Sequence, residues 1–310
     1  MSIFDFLFGR KPKESKEDKE TIEPSLTPHT PDFYIGQKIK DRYFIEKKIG
    51  KGGLGVVFQG RDHFGASDIS YAKRVAIKLL LSNSEHEQDD WLKRKFRQEI
   101  EALARVQHPY IVEIIDTGDM PDGTPFFVMQ FLEGRQLRAL IKKGGVDLQQ
   151  TATIIRQVSQ ALEAVHKEHI YHRDLKPENI FLQKVSDDEE QVKVIDFGVA
   201  RVESSFFSNT TNPIAVGTIP YMAPEQFNGE VYKATDIYAL GVIAYEMVTG
   251  ERPFKGQVQV AQYFGLKQLP SNLRPDLPLE AEKAIVKALS FDHTQRQSTI
   301  TEFADEFIKG

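Results

Sequence analysis

One polar segment of the sequence carries a carboxylate and an amide that could act on the same reacting group. The segment YHRDLKPEN at 171–179 lies just before the apolar run 180–182. Asp174 and Asn179 are five residues apart on this predicted loop and can face one point. There the carboxylate can accept a proton and the amide oxygen can hold a cation.

A second carboxylate follows 22 residues after Asp174, in the segment VIDFG at 194–198. Asp196 stands at the end of an apolar strand and is followed by a glycine that can act as a hinge. Aspartate and asparagine oxygens are the hard ligands that Mg²⁺ prefers, usually with phosphate oxygens completing the shell. Asn179 and Asp196 are therefore predicted metal ligands. A purely structural interpretation of both loops, as capped turns, is disfavoured.

A glycine-rich segment, GKGGLG at 50–55, could close its backbone over a polyphosphate with its amides turned toward the oxygens. Taken alone it also fits a dinucleotide site or a plain hairpin. The strand-like residues 56–58 follow it rather than a helix, and this favours a strand–turn–strand flap.

Lys78 ends the apolar segment VAIK at 75–78. A lysine within an apolar strand is costly unless its ammonium group has a partner. Glu99, on the next amphipathic segment, could supply the opposite charge. The alternative is a lysine that extends to solvent from an edge strand, and the preceding glycine flap weakens it.

The elements that must position these groups follow from the apolar periodicity. Strands are predicted over 42–49, 56–58, 75–81, 111–115 and 124–132. Helices are predicted over 89–106, 148–167 with Asp147 as N-cap, 236–248 and 299–308. The chain thus divides into a small β-rich part and a larger helical part, which meet at 130–134.

The order of these motifs resembles the eukaryotic-type (Hanks-type) Ser/Thr protein kinase family, and most closely its bacterial branch. The resemblance covers about residues 43–308 and includes APE at 223–225. The segment DLKPEN at 174–179 and Gly217-Thr218 resemble Ser/Thr rather than tyrosine kinases. The resemblance implies an α+β bilobal fold. A small antiparallel β-sheet N-lobe with one key helix (43–130) would join, through a hinge (130–134), a mainly helical C-lobe (135–308).

The resemblance also implies catalytic roles. Lys78 would bind the α- and β-phosphates of ATP and pair with Glu99, and Asp174 would orient the attacking hydroxyl and accept its proton. Lys176 would stabilise the transferred phosphoryl group. Asn179 and Asp196 would hold Mg²⁺, with Mn²⁺ as an alternative.

The resemblance further places the nucleotide. Its adenine would lie between Val57, Ala76 and Phe181, and backbone groups of Gln130 and Leu132 would bond its edge, with Met129 at the gate of an inner pocket. The remaining implied contacts are Ile49, Gly50, Gly52, Gly53 and Gly55. Glu225 is expected to pair with Arg296 as a structural couple. A polar loop at 62–73 departs from the family's commonest pattern, as does the large side chain of Phe181.

The segment 196–225 corresponds to the family's activation segment and holds several hydroxyl residues. Arg173 provides a cation that a phosphate could neutralise. Phosphorylation at Thr210 or Thr211 is expected to order the segment and raise activity. The alternative is that these hydroxyls reflect only loop composition. Thr218 is expected to face the substrate and contact Asp174.

Composition narrows the function further. The chain has 310 residues, 40% hydrophobic residues, 27% charged residues, a net charge of −5 and no cysteine. These values exclude wholesale disorder and a cysteine-based site, and they argue against a nucleic-acid binder. No segment has the length of a membrane span or the pattern of a signal peptide, so a cytoplasmic protein is expected.

The first 35 residues differ from the rest. An apolar segment at 1–10 precedes a charged, proline-containing linker at 11–35 that is expected to be disordered. Residues 1–13 could be a frayed end, could fold onto the domain, or could dock weakly on a partner or membrane surface. The region 43–308 leaves only 44 residues outside it, too few for a second core.

The sequence therefore predicts an ATP-dependent Ser/Thr protein kinase with protein substrates, and self-association for autophosphorylation is one possible partnership. Two alternatives stay open. One is a pseudokinase or scaffold, and the other is a phosphotransferase that acts on small molecules.

Overall fold

A twisted antiparallel sheet forms most of the N-terminal part of the protein. The computed structural model describes residues 31–52, 55–64, 72–80, 87–141, 144–187, 189–197 and 219–309. The sheet has the order β1-β2-β3-β4-β6-β5, with β1 Lys38–Ile39, β2 Tyr43–Gly52, β3 Gly55–Asp62, β4 Lys73–Leu79, β5 Ile114–Asp119 and β6 Pro125–Gln130. Helix α1 (Glu87–Ala104) packs against β5 and β6.

The two faces of this sheet carry different residues, because successive side chains of a strand point to opposite sides. Phe58, Ile77 and Val128 are directly paired in the register and are fully buried in one apolar cluster. The neighbouring positions Val57 and Lys78 are also paired with each other and lie on the opposite face. The face with Phe58 therefore packs into the apolar core, and the opposite face, which carries Lys78, is available for a site.

The structure corrects one strand prediction. The strand expected at 111–115 is shifted along the chain: β5 begins at Ile114 and runs to Asp119, so residues 111–113 are not part of it. The preceding residues pair elsewhere: the Val112 N–H donates to the Val194 carbonyl at 3.0 Å, and the Val194 N–H donates to the Tyr110 carbonyl at 2.8 Å. This segment thus connects the N-terminal sheet to the C-terminal part of the protein.

Tyr34 lies within the range 11–35 predicted as a linker, yet its side chain is fully buried. It ends a short 3₁₀ helix, Pro31–Tyr34, and packs into the apolar cluster on the back of the sheet. Its hydroxyl donates to Asp122 Oδ2 at 2.7 Å. Residues 1–30, which include the predicted apolar segment and the docking role of 1–13, lie outside the described residues.

The C-terminal part consists mainly of helices, together with a three-stranded sheet. The strands are β7 Gly134–Gln136, β8 Ile180–Lys184 and β9 Glu190–Val194. The helices are α2 Leu137–Leu140, α3 Leu148–Lys167, α4 Lys233–Thr249, α5 Val258–Phe264, α6 Pro270–Leu273, α7 Leu279–Ala288 and α8 Ile300–Ile308. The predicted helix 148–167 and its N-cap are confirmed, since Asp147 Oδ1 accepts the Gln150 N–H at 3.0 Å.

Helix α4 is buried on nearly all sides, as its apolar pattern predicts. It ends at Gly250, whose φ of 74° is accessible to glycine at little cost. At its other end, the expected pair of Glu225 and Arg296 is present, with two hydrogen bonds of 2.8 Å. Among the helices of the described ranges, none is both long enough and apolar enough to cross a bilayer.

Candidate active site

The front face of the N-terminal sheet collects residues predicted to bind a nucleotide. Lys78 lies opposite Val57 on β3, and Ala76 lies opposite Met129 on β6. Positions two residues apart on a strand share a face, so all four belong to one surface. Met129 also packs against the apolar cluster that contains Phe96 and Phe127, which is consistent with its predicted place beside an inner pocket.

The glycine-rich segment forms the tip of the β2–β3 hairpin. Gly50 pairs with Val57 and Gly52 pairs with Gly55, while Gly53 lies outside the described residues. Ile49 is 47% exposed beside this tip. A side chain at Gly55 would collide with the carbonyl oxygen of Leu79, so strand packing alone requires glycine there. Phosphate contacts of these glycines stay a prediction.

The segment that joins the two parts restricts which groups could bond an adenine edge. The Gln130 N–H already donates to the Glu113 carbonyl at 2.9 Å. Of the Gln130 backbone groups, the carbonyl is therefore the one to expect in a nucleotide contact. Leu132 follows the end of β6 and is half-buried, as is Phe181 on β8. The predicted adenine contacts of these two residues are not tested by the structure.

Asp174 lies at the centre of a hydrogen-bonded cluster on the loop between α3 and β8. Lys176 Nζ donates to Asp174 Oδ2 at 2.8 Å. Asn179 Nδ2 donates to the Asp174 carbonyl at 2.8 Å and to its Oδ2 at 3.3 Å. Because its nitrogen is used in this way, the Asn179 amide oxygen is left as a potential cation ligand. The structure thus brings together three of the predicted site residues.

The backbone of this loop is fixed by Asp236, the fourth residue of α4. Its carboxylate accepts the N–H groups of His172 at 2.8 Å and Arg173 at 3.0 Å. Arg173 has a φ of 63°, an unfavourable value for a non-glycine residue, and these bonds help to hold it. His166 Nε2 lies 2.7 Å from the same carboxylate.

Burial would raise the pKa of Asp236, but the hydrogen bond from His166 and the charges of the two neighbouring histidines hold the pKa below its ordinary value. The positioning role of Asp236 was not predicted from the sequence. The available signal was a lone aspartate at the start of a helix that is otherwise apolar all round.

The predicted pair of Lys78 and Glu99 is not formed, so that part of the sequence analysis is wrong for this conformation. Lys78 Nζ instead contacts Asp196 Oδ1, and Asp196 has a φ of 59°. Glu99 Oε1 accepts a hydrogen bond from Arg173 Nη1 at 3.1 Å and lies 3.9 Å from Lys95 Nζ. Lys78 and Glu99 are thus each paired with a different residue of opposite charge, Asp196 and Arg173 respectively.

Burial shifts the pKa values of both Lys78 and Glu99. Burial lowers the pKa of Lys78 to about 8, with Lys176 acting in the same direction and Asp174 opposing it. Burial raises the pKa of Glu99, while Arg173 and Lys95 oppose the rise.

The structure contains a cavity of about 280 Å³ between α1 and the loop that carries Arg173. Its lining includes Lys95, Glu99, Leu103, Arg173 and Phe197. The Phe197 ring packs on His172 with a centroid distance of 4.7 Å. Glu99 and Arg173, which bond each other, thus both line this cavity.

Several predicted residues cannot be placed. The regulatory candidates Thr210 and Thr211 and the substrate-facing Thr218 lie outside the described residues, as do the serines between 204 and 208. Within the described part of the chain, no group of three or more His, Asp or Glu side chains is arranged to hold a metal ion. Asn179 and Asp196 could bind a cation only together with oxygens from elsewhere, as expected for Mg²⁺ on a phosphate.

Comparison with known proteins shows similarity to protein kinases. Residues 43–308 match the model of the protein kinase domain. The chain is 35% identical over 274 residues to the probable serine/threonine-protein kinase PknB of Lactococcus lactis, covering 86% of this chain and 42% of that protein. It is 35% identical over 273 residues to the serine/threonine-protein kinase PrkC of Bacillus subtilis, covering 86% and 40%. The chain thus spans about two fifths of the length of these relatives.

Proposed function

Since the chain belongs to the protein kinase family, we propose that it transfers the γ-phosphate of ATP to serine and threonine hydroxyls of proteins. The observation that carries the proposal is the cluster in which Lys176 and Asn179 both bond Asp174. Asp196 and Lys78 meet as a second pair of the motif residues. A carboxylate held by an ammonium and an amide is suited to receive a proton next to a phosphate.

In this mechanism each residue has a limited task. The Asp174 carboxylate orients the acceptor hydroxyl and takes its proton as the new oxygen–phosphorus bond forms and the bond to the ADP oxygen breaks. Lys176 offsets the negative charge of the group in transfer, and Lys78 binds phosphate oxygens of the nucleotide. Asn179 keeps Asp174 in place through its side-chain nitrogen.

Asn179 and Asp196 fit a divalent cation, because each has a side-chain oxygen with no assigned contact among the residues that the structure describes. Bound there, Mg²⁺ would neutralise the charge of the phosphates, and Mn²⁺ has the same preference for oxygen ligands. The contact of Lys78 with Asp196 must rearrange when a nucleotide enters, since both groups then have new partners.

Regulation follows from the partner exchange of Glu99. A phosphate on Thr210 or Thr211 would bring a strong anion that competes for Arg173. Glu99 would then be released from its 3.1 Å bond and could pair with Lys78, as the resemblance implies. The unphosphorylated protein would thus be less active, because Glu99 is bound to Arg173 and is not available to pair with Lys78.

The decisive experiment is incubation with Mg²⁺, labelled ATP and a protein substrate, with Asp174→Asn as the matched control. We expect label on Ser or Thr with the natural protein and none with the variant. ATP binding without transfer would instead support a scaffold, and transfer only to a small molecule would support the third alternative.

We further propose that the protein acts in the cytosol and that one copy can phosphorylate another. Mixing active protein with an excess of a tagged Asp174→Asn copy tests the second point. Label on the inactive copy is the expected result, and its absence alongside labelled active protein would show transfer within one chain.

A further inference from the structure

A tight turn of the backbone leads into the proposed catalytic base, Asp174. The Asp174 N–H donates to the His172 carbonyl at 2.8 Å, across Arg173, whose φ is 63°. A bond of this kind across a residue with positive φ forms a γ-turn that is strained. Such a conformation persists only where the surrounding residues hold it. The position of Asp174 therefore depends on the groups that bind this turn.

Two side chains from different elements bind the backbone of Arg173. On the amide side, the Asp236 carboxylate of α4 accepts the Arg173 N–H at 3.0 Å. On the carbonyl side, Gln226 Nε2 donates to the Arg173 carbonyl oxygen at 2.9 Å. This carbonyl belongs to the planar peptide group that joins Arg173 to Asp174. Gln226 is thus bonded to the peptide group of the proposed base itself.

Gln226 lies in a short 3₁₀ helix, Pro224–Asn228, at the end of the predicted activation segment 196–225. The residue is only 8% exposed. Its Oε1 accepts the Ala223 N–H at 3.0 Å, and this bond determines that the nitrogen of the amide faces the Arg173 carbonyl. One buried amide therefore connects the end of the activation segment with the loop that carries Asp174.

The 3₁₀ helix that carries Gln226 is itself held firmly. Glu225, the neighbour of Gln226, makes two hydrogen bonds of 2.8 Å with the buried Arg296. Thr235 Oγ1 also donates to Glu225 Oε1 at 2.8 Å. A side chain on a support of this kind can fix the position of the group that it bonds. Gln226 therefore meets the requirements for holding the strained turn.

We propose that Gln226 is a positioning residue for Asp174, because its bond to the Arg173 carbonyl holds the strained turn. Through its second bond, to Ala223, this hold depends on the end of the activation segment being in place. The proposal rests on the protein kinase function proposed above, since it takes Asp174 as the group that receives the proton. It gives Gln226 no contact with the nucleotide or with the acceptor hydroxyl.

The test uses the full chain with Gln226→Glu, because this change keeps the length of the side chain and removes only the donor. The new carboxylate can still accept the Ala223 N–H, but it presents an oxygen to the Arg173 carbonyl. We expect kcat for a protein substrate to fall about tenfold, while KM for ATP stays within about twofold of the value for the natural protein. A general loss of structure would change both quantities.

Gln262→Glu is the matched control. Gln262 is 3% exposed, and its Nε2 donates at 2.7 Å to the carbonyl of Met222, a residue outside the loop that carries Asp174. The change thus removes the same kind of bond, and we expect it to lower the free energy of unfolding and to leave kcat unchanged. Gln226→Met, which adds no charge and has no donor, is a second variant in case Gln226→Glu does not fold, and it should lose kcat in the same way.

Two results would overturn the proposal. One is a folded Gln226→Glu or Gln226→Met protein whose kcat equals that of the natural protein. The other is an equal loss of kcat in Gln226→Glu and Gln262→Glu, which would assign the loss to a buried charge rather than to the position of Asp174. Failure of the natural protein to label any protein substrate would contradict the proposed kinase function, whereas these two results contradict only the role of Gln226.

Discussion

Glu99 Oε1 and Arg173 Nη1 lie 3.1 Å apart, so the glutamate of α1 bonds the residue directly before the proposed catalytic base. Lys78, its expected partner, contacts Asp196 instead. Arg173 can therefore influence the site in two ways, through its backbone beside Asp174 and through its hold on Glu99.

Arg173→Ala should reduce the dependence of activity on phosphorylation. Without the guanidinium, a phosphate has no cation to bind there and Glu99 loses the 3.1 Å hydrogen bond that competes with its pairing to Lys78. We expect the ratio of kcat/KM before and after phosphatase treatment to move toward one, whatever the absolute rate. Arg156→Ala, an exposed position on α3, is the control and should keep the ratio of the natural protein. An unchanged ratio for Arg173→Ala would contradict the proposal that a phosphate draws Arg173 away from Glu99.

Asp236→Asn should weaken the catalytic loop. The amide has only one oxygen to accept the two backbone N–H groups and the His166 contact, and its NH₂ would face a donor. We expect a loss of about 3 kcal/mol in the free energy of unfolding and a lower kcat, with a smaller change in KM for ATP. Denaturant unfolding and steady-state kinetics measure both. Asp292→Asn, at an exposed turn, should leave kcat unchanged.

Breaking the Glu225–Arg296 pair should destabilise the C-terminal part strongly. Arg296 has a fully buried side chain, and Arg296→Met leaves the Glu225 carboxylate without its partner. The expected loss in the free energy of unfolding is about 3–5 kcal/mol. The double variant Arg296→Met, Glu225→Gln should lose less than the sum of the two single variants. An additive result would show that the two residues do not interact.

The ionisation of Glu302 should make part of the free energy of unfolding depend on pH. Hydrogen bonds from Ser298 and Lys287 lower its pKa from 4.5 to about 2. The carboxylate therefore contributes stability above pH 4.5, and this contribution is lost as the pH falls toward 2. Unfolding measured at several pH values should show the natural protein more stable than Glu302→Gln near neutrality and a shrinking difference in acid. A difference that stays constant with pH would count against this role.

The sequence predicts most of the fold where the signal is local. The helix at 148–167 has a complete apolar period and a capping aspartate, and α4 is apolar on nearly all sides. The strands of the glycine hairpin and the Lys78 strand were also located correctly, although β2 and β3 extend three and four residues beyond their predicted ends. The segment before β5 was assigned incorrectly, because its backbone bonds are made to Val194, far away in the chain.

The site is predictable in its residues but not in all of their partners. Asp174, Lys176 and Asn179 lie on one short loop, so their proximity follows from the sequence. The partner of Glu99 depends on where α1 lies relative to the sheet, and the chain contains acceptable partners for more than one position. Asp236 was missed because the backbone N–H groups that its carboxylate accepts lie 64 and 63 residues away along the chain.

The burial of Tyr34 affects how the first residues of the chain can act on the domain. Tyr34 occupies the back of the N-terminal sheet, on the face opposite Lys78, and is tied there through Asp122 and Thr124. The match to the family model begins at residue 43, so Tyr34 lies before the matched residues. An exchange of Tyr34 for a small residue would therefore open a cavity behind strands β3 and β4 and lower the stability of the N-terminal part, without a change to any side chain on the face that carries Lys78.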